Sequence, residues 1–335
     1  MQKFISRLIR FFLIGLIPLI IISVLYIYLD PFKVLKHYND FSNPYVISNR
    51  DYNSTTMFIN NKRKNKYNSF ILGSSRTLAF KPNSWRKYLS EKDNPFMFDA
   101  SAESIYGIYT KLKYLDSTNV KIKNALILLC RDCTFKCLTN SKGHLFIKHP
   151  ATSGENKFVF QFEFFKAYLN PNFLLSLYYY KIIGVYKPFM AGYIENRKIT
   201  FDSITNEILL DQEIEITQNP TAYYAKKKEV FYERNGEKMD STPIINNKAK
   251  FMVMEIKRIL EKNKTNYKVV LSPLYEQIKF NSEDLLFLKN EFGKNLYDFT
   301  GKNKFTDEIT NYYEKSHFRP MVGDSILEII YNHTL

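Results

Sequence analysis

The sequence predicts an α/β protein: a three-layer arrangement with a parallel sheet between helices, preceded by one N-terminal transmembrane helix and interrupted by a large insertion. Three observations lead there. From about residue 67 onward, short apolar runs alternate with amphipathic segments, the rhythm of right-handed βαβ crossovers. One run, Asn124 to Cys130 (NALILLC), is almost continuously apolar, as expected for a strand buried on both faces. Finally, Phe11 to Leu29 (FFLIGLIPLIIISVLYIYL) carries no charge in nineteen positions. That is about 28 Å of helix, close to the roughly 30 Å hydrocarbon thickness of a bilayer.

Composition narrows the class. With 45% hydrophobic and 16% aromatic residues in 335, the chain is neither disordered nor a collagen-like or coiled-coil repeat. Three cysteines are too few for a disulfide-stapled scaffold. Lys+Arg 48 against Asp+Glu 33 gives a net charge of +15. Such a surface suits anionic partners, phosphate-rich envelope polymers or lipid headgroups. Solvated lysines of a Lys- and Asn-rich chain explain the charge more economically. No nucleic-acid module surrounds the run Lys62, Arg63, Lys64 and Lys66, which reads as a polar loop before a strand.

At the N-terminus, Pro18 and Gly15 are tolerated in a membrane span, and Tyr26 and Tyr28 stand where interfacial aromatics belong. The run is longer than a signal-peptide core and ends in YIYLDPFK rather than a small-x-small site, so an uncleaved anchor is expected. Lys3, Arg7 and Arg10 put residues 1–10 in the cytoplasm by the positive-inside rule. Residues 11–29 would then span a bacterial inner membrane, and everything beyond residue 30 would face the periplasm or exterior.

Residues 30–65 read as a polar, Asn-rich linker broken by Pro31 and Pro44. The α/β domain then fills 66–335. Its strands are Tyr67 to Leu72, Phe96 to Asp99, Asn124 to Cys130, Lys268 to Leu271 and a weaker Asn295 to Phe299. Helices are expected over Ile105 to Leu115, after a Thr242-Pro243 start, after Asn281 or Ser282, and from Pro320 through Ile329. Residues 138–242 break the rhythm with aromatic clusters and then polar β-like sequence, forming an insertion over the site or a small subdomain.

Two segments carry chemistry. Phe70 to Thr77 (FILGSSRT) ends a strand in Gly and two serines at the carboxyl edge of the sheet, where open α/β sheets place their ligands. A serine there can present its hydroxyl, with its own N–H aimed at a developing oxyanion. Near the other end, Glu314 and His317 are three residues apart, just before the helix that begins at Pro320. A serine nucleophile needs an imidazole to take its proton and a carboxylate to orient that imidazole. His37, His144, His149 and His333 lack such a setting. The fifteen or so residues before Glu314 can reach up to roughly 50 Å, enough to return to the first strand.

Together, ILGSSRT, the apolar third strand, VVLSPLY and YYEKSHFRPMVGDSIL resemble the SGNH/GDSL hydrolase superfamily in the order of elements from about 67 to 335, the insertion excepted. In style the chain is similar to its membrane-anchored envelope members, of the teichoic acid D-alanyl transfer and alginate O-acetyltransferase types. The resemblance implies a flavodoxin-like sheet, Ser75 as nucleophile with Ser74 in the usual Asp position, and Glu314 and His317 on the final Asp-x-x-His. It implies an esterase or O-acyltransferase acting on an envelope glycan or polymer, without cofactor or metal, beside the lipid bilayer and a membrane acyl-transfer partner. The sequence departs from the family by Glu for Asp at 314 and by LLCRDCTF where a Gly-x-Asn-Asp block would stand. Ser101, in DASAES, lies near the expected second-block Gly. Ser74, Arg76, Ser101, Arg131 and Asp132 are the candidates for oxyanion or substrate contacts. A degenerate scaffold of the same fold, binding a polymer or a partner without catalysis, is the alternative.

Cys130, Cys133 and Cys137 form C-x2-C-x3-C without a matching zinc ligand spacing. Cys130 reads as a buried strand-end thiol, with a Cys130–Cys133 disulfide open to an oxidising compartment. No P-loop or dinucleotide fingerprint is present.

Overall fold

The computed structural model describes residues 2–332; the side chains of residues 2, 3, 8, 9, 12 and 13 lie outside that description, as does His333. The first helix, α1, covers Gln2–Leu29. Among the described residues no helix is long and apolar enough to cross a membrane. The transmembrane anchor expected over 11–29 is therefore corrected, and the single-pass inner-membrane location built on it falls as well. The last turns of α1 face protein. Ile22 packs on an aromatic cluster, and the Tyr26 ring lies 4.9 Å from Tyr168 and 5.3 Å from Phe165.

The linker is corrected too. Phe32, Phe41 and Val46 are buried, and α2 (Arg50–Asn65) follows, capped by the Asn49 side chain on the Tyr52 amide. The helix escapes a hydropathy reading because much of its buried face is polar: Arg50, Asp51, Asn53, Ser54 and Thr55 accompany Met57 and Phe58. Lys62, Arg63 and Lys64 form its last turn, where cations complement the helix dipole, and Lys66 closes it in the left-handed conformation.

Five parallel strands make the central sheet: β1 (Ser69–Gly73), β2 (Pro95–Met97), β3 (Asn124–Leu129), β7 (Asn266–Leu271) and β9 (Leu296–Asp298), in the order β2-β1-β3-β7-β9. Strand periodicity divides the core. Phe70, Leu72, Ala125, Ile127, Val269 and Leu271 point to one face, with α2, α4 (Ile105–Ser117), α10 (Asn247–Lys262) and α11 (Ser282–Phe292). Ile71, Leu126, Leu128 and Val270 point to the other, with α3 (Pro82–Arg86), α12 (Lys304–Asp307) and α13 (Pro320–Asn332). Helix α10 starts four residues beyond the expected Pro243, because the Asp284 carboxylate accepts the Ile244 and Ile245 amides (2.7 and 3.1 Å) and holds them out of the helix.

Between β3 and α10 lie α5 (Pro150–Ser153), α6 (Lys157–Tyr168), α7 (Pro171–Ile183), the hairpin β4 (Ile199–Phe201) with β5 (Ile208–Leu210), α8 (Asp211–Gln218), α9 (Pro220–Lys226) and the short β6 (Lys238–Met239), which pairs with β8 (Ile278–Lys279). Helices α6 and α7 gather round Phe32, Phe164 and Phe173 as a separate aromatic cluster. A buried ionic network fastens this segment to the sheet domain. Lys111 of α4 meets Asp51 at 3.0 Å and Glu103 at 2.7 Å, Lys148 meets Glu103 at 2.5 Å, and the His149 amide donates to Asp51 (2.8 Å). Burial alone pushes the Asp51 carboxyl up, but the two ammonium groups outweigh it and hold it below the usual carboxylate range.

Asp51→Asn leaves Lys111 and Lys148 sharing one carboxylate, and a loss of about 3–5 kcal/mol in urea unfolding is expected for a broken buried pair. The Asp51 contribution is present above the ordinary aspartate range and is lost as pH falls through its depressed value. The wild-type-to-variant gap is therefore expected to narrow at acid pH.

Candidate active site

Strand β1 lies next to β2 on one side and β3 on the other, where the winding order reverses and an open α/β sheet leaves a crevice at its carboxyl edge. Gly73 closes β1 with φ +146, and a Cβ there would sit 2.7 Å from the Leu128 carbonyl oxygen and 2.9 Å from the Leu128 Cβ. The chain can therefore turn tightly into a 3₁₀ helix, Ser75–Ala79. Ser74 is its N-cap, and Ser75 takes the first helical position, where the backbone N–H has no intrahelical acceptor. Helix α13 packs on this turn through Gly323, whose Cβ, if present, would lie 2.1 Å from the Ala79 carbonyl oxygen.

The C-terminal segment reaches the same rim. Strands β10 (Tyr312–Glu314) and β11 (His317–Phe318) pair antiparallel, with Glu314 opposite His317 across a turn of Lys315 and Ser316. His317 Nε2 lies 2.7 Å from Ser75 Oγ, and His317 Nδ1 is hydrogen-bonded to Glu314 Oε1. The other Glu314 oxygen accepts the Ser316 amide (2.8 Å). Burial pushes the Glu314 carboxyl up, yet its bonds to His317 and Ser316 and the Arg76 charge leave it below the usual carboxylate range. Helix α9 braces the hairpin: the Tyr223 and Tyr224 hydroxyls donate to the Tyr313 and Tyr312 carbonyls (2.9 and 3.0 Å).

Arg76 joins the two ends. Its guanidinium forks onto Asp132 (2.6 and 2.7 Å), and its Nε donates to the Ser316 carbonyl (2.8 Å). The Ser74 hydroxyl turns inward, 3.1 Å from Cys130 Sγ. Burial raises the Cys130 thiol, but the Cys133 thiol, Arg76 and Ser74 outweigh it and hold it below the ordinary thiol range. All three cysteines are free. The thiols of Cys130 and Cys133 and an oxygen of Asp132 lie within 4.8 Å of one another, a donor set for a thiophilic cation. Arg76 already fills that role, because both Asp132 oxygens are committed to its guanidinium.

The other sequence candidates divide. Ser101 lines a cavity of about 300 Å³ together with Ser75 and His317. Arg131 points elsewhere, onto Asp240 at 2.5 and 2.6 Å. Asp132, ionised and paired with Arg76, has no proton to give an oxyanion. Other lining residues went unforeseen: Arg50 with its partner Asp99, the pair Glu195 and Arg197, and apolar side chains of β4 and β5. Short three-residue strands deep in an aperiodic stretch give little sequence signal, although ITF and ILL do carry the β-branched and aliphatic composition of strands. A larger cavity of about 480 Å³, between Phe231, Arg234, Tyr275 and Gln277, has no serine or histidine among the described residues that line it. No protein-family model matches the chain, and no curated protein matches it.

Removing Arg76 leaves Asp132 and the Ser316 carbonyl without their cation. Arg76→Ala is expected to lower unfolding stability by about 1–3 kcal/mol, with Arg76→Lys recovering part of the loss. Urea titration of the two variants measures both.

Proposed function

We propose that this chain is a serine esterase or O-acyltransferase of the SGNH/GDSL kind, with Ser75 as nucleophile, His317 as general base and Glu314 orienting the imidazole. The observation that carries the reading is the 2.7 Å approach of His317 Nε2 to Ser75 Oγ, with Glu314 on Nδ1. An imidazole fixed in that tautomer can accept the serine proton.

The chemistry runs in two balanced steps. Ser75 Oγ attacks the ester carbonyl while its proton passes to His317. The tetrahedral adduct collapses to an acyl-serine, and the departing alcohol takes the proton back from His317. A second hydroxyl, from water or from a sugar or polymer acceptor, then repeats the sequence in reverse and releases free acid or a new ester. The Ser75 amide, at the first position of its 3₁₀ helix, is the donor available to the oxyanion from the nucleophile's own residue. Arg76 works through others as a positioning residue, since it holds the Ser75 turn against the His317 hairpin.

One observation favours the non-catalytic alternative. The loop after β3 offers the ion-paired Arg131 and Asp132 where a neutral amide donor would complete an oxyanion hole. A fluorophosphonate probe decides between the readings, because a degenerate site does not label.

Labelling of the purified chain is expected at Ser75 and is expected to vanish in Ser75→Ala. In His317→Ala it should fall by about 10³–10⁴-fold, and Glu314→Gln should lose on the order of 10²-fold or more through the wrong imidazole tautomer. Folded variants that label as fast as wild type overturn the assignment.

A further inference from the structure

The wall of the cavity facing Ser75 carries information about the acyl group. Leu78, Ile199, Phe201, Ile208 and Leu210 line it, and four of these five come from the β4–β5 hairpin. Ile199, Phe201 and Ile208 are buried and continue into the main core. The hairpin therefore gives the pocket an aliphatic and aromatic side backed by packed protein.

The charged members of the wall are already matched. Asp99 accepts Arg50 Nη2 and Nε at 2.6 and 3.1 Å, and Arg50 also donates to the Asn206 side-chain and backbone oxygens. Glu195 accepts Arg197 Nε and Nη2 at 2.9 and 3.0 Å. A substrate ammonium would have to compete with a guanidinium for a carboxylate that already holds two N–H donors. A substrate carboxylate would have to compete with Asp99 for Arg50 or with Glu195 for Arg197, each pair already joined through two N–H donors. Among the described residues of this wall, each charged side chain named here already has an ionic partner.

Size points the same way. At about 30 Å³ for each water-sized unit of volume, a cavity of about 300 Å³ has room for roughly ten non-hydrogen atoms. An acetyl group would leave most of the apolar side without contacts.

We infer that the acyl group transferred through Ser75 is an uncharged apolar chain of about four to eight carbons, seated against the β4–β5 hairpin, rather than an acetyl or aminoacyl group. The inference rests on the serine esterase reading above and adds the class of ester it acts on. Each methylene that enters the pocket contributes about fourfold to kcat/KM, from the transfer free energy of one buried CH₂. The gain stops where the chain outgrows the cavity.

The test uses the purified full chain and 4-methylumbelliferyl esters of acetic, butyric, hexanoic, octanoic and dodecanoic acids, with fluorophosphonate labelling of Ser75 measured in parallel. A hexanoyl-to-acetyl ratio of kcat/KM of at least ten is expected, falling again at dodecanoyl. Ile208→Trp, which fills the hairpin side, is expected to cut that ratio at least fivefold; Leu210→Trp serves the same purpose should the first variant not fold. A protein whose Ser75 labels but whose ratio stays below ten overturns the acyl-chain inference and leaves the serine reading standing. A protein that neither labels nor turns over any of the esters overturns the serine reading, and this inference goes with it.

Discussion

Arg76 is the charge around which the rim of the sheet is assembled. It is almost fully buried, and a buried guanidinium is tolerable only where carboxylate and carbonyl oxygens replace water. Those oxygens come from two distant places, Asp132 in the loop after β3 and Ser316 in the turn between β10 and β11. Satisfying one side chain therefore fixes three loops relative to one another. Ser75 precedes this arginine by one residue, and His317 follows Ser316 by one. Burial works against the Arg76 charge, while the Cys130 thiol and Asp132 outweigh it and hold the guanidinium firmly protonated. The alignment of hydroxyl and imidazole is thus a by-product of solving an electrostatic problem one residue away.

The segment between β3 and α10 contributes to the site from three directions. Its hairpin forms the apolar side of the cavity, α9 braces the hairpin that carries His317, and Glu213 of α8 pairs with Arg319 at 2.6 Å just beyond β11. Its own attachment depends on the Lys111, Lys148, Asp51 and Glu103 network, which couples the wall of the pocket to α2 and α4. Stability of the sheet domain and shape of the pocket are linked through these four buried charges.

Much of the sheet can be read from the chain because burial on both faces leaves a plain mark: NALILL and NYKVVL are dense apolar runs, and α10 repeats its apolar residues at helical spacing. Ser75, Glu314 and His317 stood out for a chemical reason, two serines after a strand-ending glycine and an acid three residues before a rare histidine. What escaped depends on partners far along the chain. Helix α2 hides its buried face behind charges paired with Asp99 and Lys111, with the Asn206 oxygen accepting from Arg50 as well. The pairing of Arg76 with Asp132 spans 56 residues and leaves no local pattern. At the N-terminus, hydropathy registers an apolar helix but not the contacts of its last turns, where Tyr26 meets Phe165 and Tyr168 while Ile20, Val24 and Ile27 stay exposed.

The covalent intermediate tests the account most directly. The full chain is quenched in acid during turnover of an activated butyrate ester, digested, and its peptides mapped by mass spectrometry. The account predicts one butyryl increment on Ser75, resolved from the neighbouring Ser74, and its absence in the His317→Ala chain. An acyl group on Ser74 or on another side chain, or ester consumption with no acyl-serine at all, would contradict it.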